Sequence, residues 1–230
     1  MSHSTLSPRA QTHRFLLDHA FYPVAACTAF CAAMLAGRYA VSGTRHYGFL
    51  AWNLFLAWLP YLLSLWAVSL RRAAPDARGP WRVVGLMWLL FLPNAPYIVT
   101  DFLHLLRERP FPILYDLTLI FAFAWTGLLL GLVSMKLMQE QVAESRGRLV
   151  GWAFVIAASG LTGVGIYVGR VLRWNSWHVI TRPDRIFDTF ADALADPFSR
   201  IGALAHVAIF AGLVLLCYVS LIGLRRGRED

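Results

Sequence analysis

Apolar positions run through this chain in six long blocks, at roughly 21–41, 49–70, 81–105, 112–138, 149–172 and 201–224. Each is about 20 residues or longer, the length that carries a helix across a bilayer. Polar residues gather in the links between blocks, and almost nothing is left over for a soluble domain. The pattern predicts an all-α fold: a polytopic membrane helix bundle of about six transmembrane spans. It divides the chain into a polar segment 1–20, one transmembrane domain over 21–224 and a tail over 225–230.

The third block breaks its own pattern. In FLPNAPYIVTDFLHL (91–105), Pro93 and Pro96 remove backbone donors and clash with the preceding turn. Helix geometry is therefore expected to fail within 92–95, with Asn94 capping a second half-helix that tolerates Pro96 in its first turn. A helix end buried in mid-membrane is a ready anion or substrate site. On that second half, Tyr97, Asp101 and His104 fall at i, i+4 and i+7 on one stripe of an α-helix. Ionisable residues inside a span are costly and mark function unless they simply pair or face water. The matching block WNLFLAWLPY (52–61) shares W-x-L-F-L-x-x-x-P-Y with WLLFLPNAPY (88–97), a hint of an inverted repeat.

The fifth block ends in GRVLRWNSWHVI (169–180). Arg170 and Trp174 are one turn apart, as are Arg173 and Trp177, so each guanidinium can lie over an indole. With Asn175 and His178 the stretch fits either an aromatic interfacial anchor or a fork for carboxylate or phosphate. Beyond it, DRIFDTFADALAD puts apolar residues on one side and charges on the other. It predicts an interfacial amphipathic helix near 183–196.

Topology gathers these residues. In a six-span chain, even-numbered helices start on the face where odd-numbered ones end. Asn53, Asp101, His104, Asp116, Arg170, Arg173 and His206 therefore share one face, whichever way up the protein sits. Asp116 also suits a helix N-terminus, Asn53 a helix–helix hydrogen bond, and His206 a core position. The opposite face is expected to hold only the charged links 71–82 and 139–148. Gly127–xxx–Gly131 and Gly165–xxx–Gly169 are spacings that let helices approach closely.

Composition sharpens this picture. Apolar residues make up 58% and charged residues 15%, with a mean hydropathy of +0.55; soluble domains carry about 25% charge. The net charge of +8 is nearly all arginine, and Lys136 is the only lysine. Its placement between spans reads as membrane topology, which excludes a nucleic-acid surface. Twelve of the 21 basic residues flank one set of span ends and nine the other. The positive-inside rule then puts both termini in the cytoplasm. The first block is longer than a signal-peptide core and reads as a retained helix. Cys27, Cys31 and Cys217 sit inside spans without metal-ligand spacing and read as small apolar fillers. No metal and no cofactor is expected.

The blocks WNLFLAWLPYLLSL, WLLFLPNAPYIVTDFLHL and GRVLRWNSW resemble the signatures of the bacterial membrane family known as domain of unknown function 1361. The resemblance covers roughly 45–225. It implies a bacterial cytoplasmic membrane and supplies no activity. An aspartate commonly follows WNSW in that family; His178 stands there, which removes an acidic role at that position.

Two functional classes fit. In a small transporter or channel-like protein, the broken helix and Asp101 would form an anion- or proton-linked site near the outer face. In a membrane-embedded transferase or hydrolase acting on a lipid or lipid-linked phosphate, Asp101 and His104 would be the acid–base pair and Arg170 and Arg173 would hold the anion. A non-catalytic assembly factor is the third reading. The buried break and the lack of a nucleophile or phosphate-loop motif weigh towards transport. Membrane lipids and a small anionic or lipid-phosphate ligand are the expected partners; nothing in the sequence sets an oligomeric state.

Overall fold

The computed structural model describes residues 7–75, 78–105, 112–171 and 201–226. Every element among them is a helix: α1 (Pro8–Asp18), α2 (Phe21–Ser42), α3 (Gly48–Ala73), α4 (Arg78–Phe91), α5 (Asn94–Tyr97), a 3₁₀ helix (Ile98–His104), α6 (Ile113–Arg146), α7 (Arg148–Arg170) and α8 (Ile201–Arg226). Six stretches are long and apolar enough to cross a membrane: Phe21–Ser42, Gly48–Ala73, Gly79–His104, Ile113–Arg146, Arg148–Arg170 and Ile201–Ile222. They match the six predicted blocks to within a few residues, except that α6 runs on to Arg146.

Helix α6 is the mast of the bundle. It packs against α2, α3, α5, the 3₁₀ helix, α7 and α8, and α4 reaches it through Trp81 and Trp88. Of its most apolar window, 61% is buried, against 11% for α8, which packs chiefly on α7 and presents most of its surface outward. The core has two parts. One is built around Leu50, Tyr61, Ile98, Leu119 and Phe123, the other around Trp88, Met135, Val155 and Tyr218.

The segment ahead of α2 folds onto the bundle as α1. Ser7 caps it at Ala10 N (3.4 Å), and Phe15 packs against the first core cluster. Tyr61 Oη donates to His19 O (3.0 Å), and the Arg72 guanidinium lies 5.1 Å from the Phe15 ring. At the other end of α2, Gly43 takes the left-handed conformation (φ +67°) and its N–H closes on Tyr39 O (3.0 Å). A side chain is strained there, so glycine ends the helix cleanly.

The third span breaks where the prolines require. α4 ends at Phe91, and helix resumes at Asn94 for a single turn. The backbone stays right-handed at Pro93 (φ −59°, ψ −25°), so the hydrogen-bond ladder is what fails. Pro96 has no N–H for Leu92 O, and Ala95 N takes that carbonyl instead (3.1 Å). This leaves Phe91 O, which accepts the Asn94 side-chain amide (3.0 Å). Asn94 therefore repairs the end of α4 by donating, whereas capping of α5 was expected; α5 has no side-chain cap. Proline alone does not break a span here: Pro60, in the matching block, sits inside an unbroken α3.

Glycines receive the broken segment. A Cβ on Gly127 would lie 2.5 Å from Ala95 O and 2.8 Å from Ile98 Cδ1, one on Gly131 3.1 Å from Ala95 Cβ, and one on Gly165 would overlap the Pro93 ring. The spacing expected to allow close approach does so at these three positions, seating the break between α6 and α7.

Candidate functional site

Among the described residues, two ion pairs lie on the face where α2, the 3₁₀ helix and α7 end. In the first, Asp101 comes from the 3₁₀ helix, Asn53 from the second turn of α3 and Arg170 from the last turn of α7. Asp101 is 1% exposed. Its Oδ2 accepts from Asn53 Nδ2 at 2.8 Å. Its Oδ1 faces Arg170 Nη1 at 3.7 Å, close enough for strong attraction but too long for a hydrogen bond. The Arg170 side chain remains 20% exposed.

The 3₁₀ winding resets the stripe read from the sequence. At about three residues per turn, Ile98, Asp101 and His104 line up, and Tyr97 moves to another ridge. The seven-residue run is long for this helix type. Within it Thr100 Oγ1 donates to Tyr97 O (2.7 Å). His104 packs against Phe49 with the rings tilted, centroids 4.5 Å apart.

The second pair is closed. Arg38 Nε donates to Asp116 Oδ1 (2.6 Å) and Nη2 to Oδ2 (3.2 Å), with side-chain exposures of 7% and 0%. Tyr47 lies under the guanidinium at 5.6 Å. Asp116 does sit in the first turn of α6, but its partner is this arginine from the end of α2. The sequence reading missed Arg38 as a site residue by counting it only as a topology charge. Its position four residues from the end of its span, on the shared face, was the available signal.

The remaining candidates separate. His206 is half-buried among aromatic rings, 6.3 Å from Tyr167 and 5.4 Å from Phe210 by centroid, which fits a core histidine. Asn94 and Tyr97 are half-buried at the break. Arg173, Trp174, Asn175, Trp177, His178 and the amphipathic stretch 183–196 lie outside the described residues. Among the described residues, no three His, Cys, Asp or Glu side chains converge to hold a metal ion.

The opposite end of the bundle is more polar inside than expected. Trp81 Nε1 donates to Gln141 Oε1 (2.6 Å), Trp88 Nε1 to Ser134 Oγ (3.2 Å), and Tyr218 Oη pairs with Gln139. Gln139 and Gln141 fall in the stretch 139–148 that the sequence assigned to a charged link, and only the extension of α6 to Arg146 places them on a helix facing Trp81 and Tyr218.

The fold and its charge pairs define a multi-pass helical membrane protein with ionisable side chains buried at one face. Within that class, the chain belongs to the family described as protein of unknown function DUF1361, which matches residues 52–218. No curated protein matches the chain, and no solved structure does.

Proposed function

We propose that the protein is a small anion carrier of the bacterial cytoplasmic membrane, in which Arg170 exchanges Asp101 for an anionic group reaching it from the outer face. The observation that carries this reading is the contrast between the two pairs. Arg38 and Asp116 hold each other through two hydrogen bonds, as a structural clamp does. Arg170 is held by one long contact and keeps part of its fork free for a carboxylate or phosphate. The proline break adds no anion site of its own, because its single turn is packed into the glycines of α6 and α7.

Exchange has an electrostatic consequence. When an anion takes Arg170, Asp101 keeps only Asn53 as a polar partner in a site shut off from water. A buried carboxylate without a counter-charge is expensive, so Asp101 takes up a proton as the anion arrives. Anion and proton then move together. The twelve-to-nine distribution of basic residues supports placing both termini in the cytoplasm and this site on the outer side.

Proteoliposomes test this. With a pH dye inside, adding phosphate, acetate or short dicarboxylates outside should acidify the lumen in the presence of wild-type protein for at least one anion. Arg170→Gln should abolish the signal. Equal proton movement by wild type and variant for every anion would refute the carrier.

A further inference from the structure

A groove of about 410 Å³ runs between α2 and α3, with α6 behind it. Three of its exposed lining positions are small, Ala32 and Ala36, one turn apart on α2, and Ala51 on α3; the larger exposed Phe55 lines it beside them. All lie within stretches apolar enough to cross the membrane, so the groove opens onto lipid.

At its deep end the polar groups are paired. Trp58 Nε1 donates to Thr28 Oγ1 (3.1 Å), and the same hydroxyl donates to Val24 O (2.9 Å). Both polar groups at that end are thereby used within the protein, and the lining offers water little to hold. The other end reaches Tyr39, just below the loop joining α2 to α3. From Thr28 to Tyr39 is about 16 Å at 1.5 Å per residue. That is half of the roughly 30 Å hydrocarbon core, or one leaflet. The loop above carries Arg45 and His46, both exposed, and no acidic residue between Gly43 and Tyr47.

We infer that this groove holds one acyl chain of an anionic phospholipid, with its headgroup against Arg45. The depth fits a chain of one leaflet, the apolar walls fit its methylenes, and the cationic loop at the open end complements the phosphate. Arg38 is not part of this site, since Asp116 engages it. The inference is independent of the carrier reading: it concerns the outer surface of α2 and α3 and uses neither Asp101 nor Arg170.

The test uses the full chain in phosphatidylcholine vesicles containing phosphatidylglycerol with a photoactivatable group at the end of one acyl chain. Cross-links, mapped by mass spectrometry, should concentrate at the Thr28–Trp58 end. Ala36→Trp fills the groove and should abolish them while cross-links on the exposed faces of α7 and α8 persist. Where Ala36→Trp does not accumulate, Ala32→Leu is the milder filler and should lower the same cross-links. Arg45→Gln should erase the preference for the phosphatidylglycerol probe over a phosphatidylcholine probe carrying the same chain. Cross-links spread evenly over all lipid-facing helices, no response to either filler, or a chain-to-chain cross-link through Ala36 would overturn the chain site. Equal capture of both probes by wild type would overturn the headgroup assignment.

Discussion

Arg170 meets Asp101 through a single nitrogen–oxygen contact of 3.7 Å, while Asn53 holds the other carboxylate oxygen at 2.8 Å. The aspartate is thus fixed by an amide on α3 and only attracted by the guanidinium on α7. A structural pair would close, as Arg38 and Asp116 do. From this difference the behaviour of the two pairs on mutation should diverge.

For the clamp, Asp116→Asn or Arg38→Gln leaves a buried charge without its partner and should destabilise the protein by about 3–5 kcal/mol. The double variant Arg38→Met with Asp116→Leu removes both charges and should recover most of that loss. Unfolding of the purified protein in mixed micelles reads both effects. Additive damage in the double variant would show that the two side chains are not a pair.

For the open pair, either Asp101→Asn or Arg170→Gln should abolish anion-linked proton movement. The double variant should insert and melt like wild type and still move nothing, because no neutral pair holds an anion or passes a proton. Recovery of activity in the double variant would make this pair structural as well.

The glycine seats give a steric prediction. Gly165→Ala meets the Pro93 ring and Gly127→Ala meets Ala95 O, so each should cost about 1–3 kcal/mol by overpacking. Gly160→Ala, with nothing within 4 Å of the added Cβ, should be neutral or stabilising, since alanine favours helix by about 1 kcal/mol. Thermal melting in detergent separates them. Equal midpoints for Gly165→Ala and Gly160→Ala would mean that the break is not seated as described.

Much of this was legible in the sequence, for identifiable reasons. Apolar run length gave the six spans because a bilayer demands it. Pro93 and Pro96 gave the break because two donors are missing within one turn, whereas the lone Pro60 leaves α3 unbroken. The approach of Asp101 to Arg170 followed from which helix ends share a face. The register of Tyr97 did not, since it depends on Ile98–His104 winding as 3₁₀ instead of α-helix. Arg38 was hidden by its double identity as a topology charge, and Gln139 and Gln141 by falling in a stretch read as a link, which α6 in fact continues through to Arg146.

Orientation follows from labelling. In a background with Cys27, Cys31 and Cys217 replaced, a cysteine at Thr44 should react with a membrane-impermeant thiol reagent in intact cells, and one at Gly147 should react only after lysis. The reverse pattern would invert the protein and move the Asp101 face to the cytoplasm.

Proton uptake by Asp101 when an anion reaches Arg170 is visible in difference infrared spectra of the protein in lipid. Adding the anion that drives proton movement to wild type should raise a protonated-carboxyl C=O band, and the band should be missing from Asp101→Asn and from Arg170→Gln. An unchanged carboxyl region in wild type, or the same band in Asp101→Asn, would contradict the exchange.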